Sequence, residues 1–215
     1  MKVFFRADAS IDLGIGHVMR CLTLAEALRD QGAECQFICG LQDGNMLQAI
    51  QDKGFKASSI DSFIDWEIDV EQTQALLAES VVHWVVVDHY SLDIRWEQAI
   101  KMHCHKLMVI DDLADRQHDC DLLLDQNLGR LASDYKQFVP NTCQLLIGPM
   151  YALLRSEFAA WRDYSLKRRT TPLLKHLLIS MGGTDPGNVT CQVLTVIKRT
   201  ILPANCRITV IMGAT

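Results

Sequence analysis

Val81-Val82-His83-Trp84-Val85-Val86-Val87-Asp88-His89-Tyr90 is the stretch on which the fold class turns. Its first seven residues are almost continuously apolar and rich in β-branched valine. A strand with one wet face alternates apolar and polar residues, whereas a strand covered on both faces does not. Strands of the second kind belong to parallel sheets held between helices. The run then stops at Asp88-His89-Tyr90, three polar side chains at its carboxyl end.

Outward from this run, strand-like and helix-like segments alternate. Upstream, residues 2–5, 35–39 and 56–60 read as strands. Residues 18–29 place Val18, Cys21, Leu22, Ala25 and Leu28 at helical spacing, and Gly32 suits the stop. Residues 42–53 read as a second helix closed by Gly54. Downstream, residues 106–110, 121–124 and 144–147 read as strands, and residues 71–79 and 94–103 as helices. This alternation predicts an α/β fold, a Rossmann-like parallel sheet with helices on both faces.

The pattern changes near Pro172. Residues 162–171 are charged and polar and read as a helix end followed by a linker. Residues 173–181 then read as a strand, 182–187 as a turn, 188–199 as a helix and 207–212 as a strand. The expected organisation is an N-terminal Rossmann-like domain over 1–160, a linker over 161–172, and the start of a second Rossmann-like domain over 173–215. A unit of about 45 residues rarely buries enough surface to be stable alone. The chain is therefore expected to end inside that second domain.

Hydrophobic residues make up 49% of the 215 residues, enough for a core. The formal net charge is −5 with no long basic run. Nucleic-acid binding is disfavoured, because neutralising phosphates takes clustered Lys and Arg. No apolar run reaches the roughly 20 residues that span a bilayer, and no secretion signal opens the chain. A soluble, cytoplasmic, monomeric protein that binds neither nucleic acid nor membrane is expected. The eight cysteines stand singly, with no CxxC pair, which disfavours a zinc site. His103-Cys104-His105 reads as the polar end of a helix before a strand, in preference to a metal ligand set. No metal and no cofactor is expected.

Ligands bind beyond the carboxyl ends of the strands in open parallel sheets. Those ends are polar here: Arg6, Asp8 and Ser10; Asp88-His89-Tyr90; Asp111-Asp112; Asp125-Gln126-Asn127; and Gly148-Pro149 with Tyr151 just beyond. Any one of them has an ordinary reading as turn chemistry. Five together point to a polar cleft along one edge.

Gly14-Ile15-Gly16-His17 joins the first strand to the first helix. It fails the dinucleotide fingerprint, since Met19 holds the sixth position and no acidic residue ends the second strand. It fails the Walker A pattern too, for want of a Gly-Lys-Ser/Thr sequence. What remains is His17 in the first turn of a helix, where the positive end of the dipole favours the neutral base. On the residues alone, two roles stay open. His17 takes a proton from water, or it only packs and caps the helix start.

Five motifs follow one another along the chain. They are Arg6-Ala7-Asp8-Ala9-Ser10 with Gly14 to Arg20; Asp88-His89-Tyr90; Asp111-Asp112 with His118 to Asp121 and Asn127; Tyr151 to Arg155 with Phe158; and Met181-Gly182-Gly183-Thr184-Asp185. In this order the whole chain resembles the UDP-2,4-diacetamido-2,4,6-trideoxy-β-L-altropyranose hydrolases of pseudaminic acid biosynthesis. The Gly-x-Gly-His loop by itself is shared with GT-B glycosyltransferases. The resemblance implies a GT-B architecture, with two Rossmann-like domains facing each other across a cleft. It implies metal-free hydrolysis of a UDP-sugar, with carbon–oxygen cleavage and inversion at the anomeric carbon. It implies His17 as catalytic base and Tyr90 as the active-site tyrosine, with Gly182, Gly183 and Thr184 near the nucleotide phosphates. Arg6, Asp8, Gly14, Gly16, Arg20, Asp88 and Asn127 are expected to contact the substrate. Two other expectations compete: a GT-B glycosyltransferase using a UDP-sugar, and a non-catalytic fragment that binds a sugar nucleotide.

Overall fold

The computed structural model describes residues 1–61, 65–182, 185 and 187–212. The chain divides into two compact units, Met1–Leu154 and Arg155–Thr215.

The first unit is an α/β Rossmann-like domain. Its strands are β1 (Lys2–Ala7), β2 (Glu34–Gly40), β3 (Lys56–Ile60), β4 (Trp84–Asp88), β5 (Lys106–Ile110), β6 (Leu122–Asp125) and β7 (Gln144–Ile147). They form one sheet in the order β3-β2-β1-β4-β5-β6-β7, and every neighbouring pair is parallel. Helices α1 (Gly16–Asp30), α2 (Leu47–Asp52), α3 (Trp66–Leu77) and α4 (Ile94–Lys101) cover it.

Successive side chains of a strand point to opposite faces. In β1, Val3, Phe5 and Ala7 join Val18, Cys21, Leu22 and Ala25 of α1 in one buried cluster. Phe4 joins Trp96 and Ile100 of α4 in the other. The valines of β4 divide the same way, Val86 in the first cluster and Val85 and Val87 in the second. Both faces are covered, which is why this run shows no polar alternation. Phe5 stacks on Phe37 of β2 with ring centroids 4.9 Å apart. Burying one such side chain contributes about 1.5–3 kcal/mol.

β1 and β4 are neighbours although two strands lie between them in the chain. The chain builds β2 and β3 to one side of β1, then returns to lay β4 on the other. The loops leaving β1 and β4 diverge there, and in open α/β sheets that divergence leaves the ligand crevice.

The structure departs from the sequence reading in several places. β4 begins at Trp84, and Val81 is exposed ahead of it. α3 starts at Trp66, five residues before the expected 71. The helix expected over 42–53 is confined to Leu47–Asp52. Asn45 is the cause: its Nδ2 donates to the Gln42 carbonyl and its Oδ1 accepts from the Leu47 amide. Gly44 beside it has φ +81°, and a Cβ there would lie 2.9 Å from the Ile11 amide nitrogen. Only glycine fits this turn against the loop after β1.

The second unit holds α5 (Ser156–Arg169), β8 (His176–Ser180), α6 (Val189–Ile197) and β9 (Arg207–Ile211). β8 and β9 pair in parallel across α6. The linker expected over 161–172 is corrected here, because residues 161–169 are helical and the first compact unit closes at Leu154. Lys167, Arg168 and Arg169 fall in the last turn of α5, where positive charge suits the helix dipole.

The eight cysteines are free thiols, with Cys21, Cys35, Cys39 and Cys120 buried. His103-Cys104-His105 forms the turn between α4 and β5, with the Cys104 thiol donating to the Ile100 carbonyl. Among the described residues, no helix is long and apolar enough to cross a membrane.

Candidate active site

A cleft of about 330 Å³ opens in the first unit at the carboxyl ends of β1 and β4. Arg6, Asp8 and Ser10 reach it from β1 and the loop beyond. His17 comes from the start of α1, His89 and Tyr90 from just past β4, and Trp66 and Asp69 from α3.

His17 is 7% exposed, and its Nδ1 lies 2.6 Å from Oδ1 of Asp88. Asp88 is 1% exposed and also accepts Arg20 Nε at 2.5 Å and Nη2 at 2.6 Å, a two-pronged clamp. Burial alone would push the Asp88 carboxyl up, but hydrogen bonds and charge from Arg20 and His17 hold it below its ordinary value. Asp88 is therefore an ionised acceptor. A carboxylate can only accept, so the short contact puts a hydrogen on Nδ1, and the lone pair of the neutral tautomer then sits on Nε2.

Arg20 extends the chain of contacts, its Nη1 donating to Oδ2 of Asp112 at 3.0 Å. The Tyr90 hydroxyl donates to the same oxygen at 3.4 Å. The Tyr90 ring meets the His17 imidazole nearly at right angles, 84° with centroids 4.6 Å apart. Burial and the Asp112 charge push the Tyr90 phenol up, so it stays protonated.

Beside this group lies a second buried network. Arg6 bonds Asp8 through Nη1 and Nη2, and Asp69 through Nε and Nη2. Asp69 also accepts Trp96 Nε1 at 2.7 Å, and Asp8 accepts the Gly40 amide at 2.6 Å. Burial would raise the Asp8 carboxyl, yet the His89 hydrogen bond and the Arg6 charge hold it well below the usual carboxylate range. His89 accepts the Ser91 amide at Nδ1, so Nε2 carries its hydrogen and donates to Asp8 at 3.0 Å. Both nitrogens of His89 are occupied, which sets it apart from His17.

The structure thus gathers Arg6, Asp8, His17 and Tyr90 around one cleft. Asp88 was expected to touch the substrate, but its burial leaves it no open face. It acts on the cleft through His17. Arg20 is half-buried behind the same histidine, with both carboxylate partners engaged. Gly14 has φ +75° and closes a turn with the Ser10 carbonyl, while open space surrounds Gly16 where a Cβ would stand. Asn127 stands apart, exposed past the end of β6, outside the residues that line the cleft. Gly182 has φ +89°, and Gly183 and Thr184 lie outside the described residues.

Two relatives share sequence with this chain. Over 201 residues, 93% of its length, the chain is 31% identical to the UDP-2,4-diacetamido-2,4,6-trideoxy-β-L-altropyranose hydrolase of Campylobacter jejuni subsp. jejuni serotype O:2, covering 67% of that protein. The chain belongs to this hydrolase family. An uncharacterised protein of Methanocaldococcus jannaschii is 27% identical over 196 residues, which is 90% of this chain and 39% of the archaeal protein. Among solved structures, MurG of Acinetobacter baumannii aligns with 98% of this chain and 66% of its own, at TM-score 0.49 and 14% identity. No family model matches the chain.

Two residues of these networks had no role assigned in the sequence. Asp69 sits on α3 beside Val70, one helical turn from Thr73, and its buried carboxylate bonds Arg6. Its one signal is an acidic residue on an otherwise core-facing helix stripe. Asp112 belonged to a recognised motif but had no assigned partner until the fold brought it to Arg20. Among the described residues, no group of three or more His, Cys, Asp or Glu side chains is arranged to hold a metal ion.

Proposed function

We propose that this chain hydrolyses a UDP-2,4-diacetamido-2,4,6-trideoxyhexose to UDP and the free sugar, by water attack at the anomeric carbon. One observation carries the reading: a histidine facing a cleft, with Nδ1 held at 2.6 Å by an ionised, buried carboxylate. Membership of the hydrolase family supplies the substrate class.

His17 Nε2 takes a proton from water as the oxygen attacks carbon. Asp88 fixes the productive tautomer and stabilises the imidazolium that forms. Water bonds to the face opposite UDP, which leaves with the electron pair of the broken carbon–oxygen bond, so the configuration inverts. Tyr90 holds the imidazole through a perpendicular ring contact. The cleft is lined by Asp8, Asp12, Asp61 and Asp69 against Arg6. That balance disfavours a diphosphate and suits the uncharged sugar. Its volume of about 330 Å³ also matches a monosaccharide better than a whole sugar nucleotide. The loop Met181-Gly182-Gly183-Thr184 is assigned to the diphosphate on its family motif alone. The N-terminus of α6 contributes less, because Asp185 already occupies the Val189 and Thr190 amides.

Turnover of the UDP-diacetamido sugar in oxygen-18 water tests this reading. Free sugar labelled at its anomeric oxygen is expected. Label in UDP would overturn carbon attack. Sugar release only with an added acceptor would make the chain a glycosyltransferase, and binding without turnover would make it a binding module.

A further inference from the structure

Cys120 and Cys143 take no part in the cleft, yet their sulfurs lie 3.6 Å apart. Cys120 is buried two residues ahead of β6, and Cys143 is half-buried immediately ahead of β7. β6 and β7 are hydrogen-bonded neighbours, and the ladder continues to their entries, where the Gln144 amide donates to the Asp121 carbonyl. The register sets Leu122 opposite Gln144, so Cys120 lies one residue diagonal to Cys143; a spacing of about 4.8 Å with that offset of about 3.3 Å gives roughly 6 Å, inside the Cα span a disulfide bridges. The remaining gap is the approach of two sulfurs already in hydrogen-bond contact.

We propose that Cys120 and Cys143 form a dithiol site that peroxides oxidise to a disulfide. The two thiols are not equivalent. The contact between the two sulfurs holds Cys143 below the ordinary thiol value, while the same contact and burial push Cys120 well up. Cys143 is also the more accessible of the two, so it is the attacking group. Its thiolate sulfur displaces hydroxide from hydrogen peroxide, giving the sulfenic acid and, after protonation, one water. The Cys120 sulfur then attacks the sulfenic sulfur. The sulfur–sulfur bond forms, the sulfur–oxygen bond breaks, and the Cys120 proton leaves with the oxygen as a second water. The two sulfurs give up two electrons, and the peroxide accepts them.

The test uses the native protein, a small molar excess of hydrogen peroxide, maleimide capping and tryptic mass mapping. Cleavage leaves Cys120 in the peptide spanning 117–130 and Cys143 in the peptide spanning 137–155. The expected product is these two peptides joined, lighter than their sum by two hydrogens and separated by dithiothreitol, with the other six cysteines capped. Before oxidation, Cys143 is expected to alkylate at least about tenfold faster than Cys120. In Cys120→Ala, Cys143 is expected to stop at a sulfenic acid that dimedone traps. Equal capping of both cysteines with and without peroxide would overturn the proposal in the wild-type protein alone. So would oxidation of Cys120 at an undiminished rate in Cys143→Ala.

Discussion

His17 Nδ1 and Asp88 Oδ1 stand 2.6 Å apart where the loops after β1 and β4 diverge. The contact joins residues 71 positions apart and fixes the orientation of a helix-start histidine, the base of the proposed reaction. Asp88→Asn removes the charge and offers an amide where a carboxylate stood. The imidazole hydrogen is then free to move to Nε2, which disables the base. The expected outcome is a kcat lower by about 10²–10⁴-fold with KM changed far less. Steady-state kinetics on the UDP-diacetamido sugar check this. A loss confined to KM would place Asp88 in substrate binding.

Tyr90 makes two separable contacts, its ring with His17 and its hydroxyl with Asp112. The hydroxyl contact is long at 3.4 Å. Tyr90→Phe keeps the ring and is expected to retain activity within about tenfold, the worth of one hydrogen bond. Tyr90→Ala loses the ring and should fall further. Equal losses in both variants would shift the role to the hydroxyl.

Arg6 is the sole guanidinium between Asp8 and Asp69 among the described residues, and all three are buried. Arg6→Leu strands two carboxylates, and removing one partner of a buried ion pair costs about 3–5 kcal/mol. Urea unfolding should show a loss of that size in the unfolding free energy. Arg6→Lys is expected to fall between the two, because a single ammonium cannot fork to both carboxylates. An Arg6→Leu variant as stable as wild type would contradict this account of the network.

Asp8, Asp88 and Asp111 are all held below the ordinary carboxylate value. Folded, they bind protons less readily than in the unfolded chain, so stability rises with pH across their titration. Their contribution is complete above the ordinary Asp value near 4 and is lost as the pH falls through the folded values. Melting temperature is therefore expected to hold from pH 7 to about pH 5 and to drop steeply below that. Asp88→Asn should flatten the acid limb, and a limb as steep as wild type would remove Asp88 from it.

The sheet was legible because its cause is local. Val85, Val86 and Val87 are buried to alternate sides, and burial on both faces leaves a mark in composition. The turn at 42–46 was not, since Asn45 redirects backbone hydrogen bonds within a stretch whose apolar spacing still suits a helix. The cleft was half legible. Polar strand ends marked Asp8 and Tyr90, and the glycine loop marked His17, but the pairing of Asp88 with His17 depends on which strands become neighbours. Asp69 reaches Arg6 across 63 positions, and no spacing in the sequence records that contact.

The central claim is that His17 removes the proton from the attacking water. The most direct measurement is kcat for free-sugar release by His17→Ala, with circular dichroism confirming the fold. The account requires a fall of about 10²–10⁴-fold. Turnover within about threefold of wild type would contradict it, because a general base contributes far more than that.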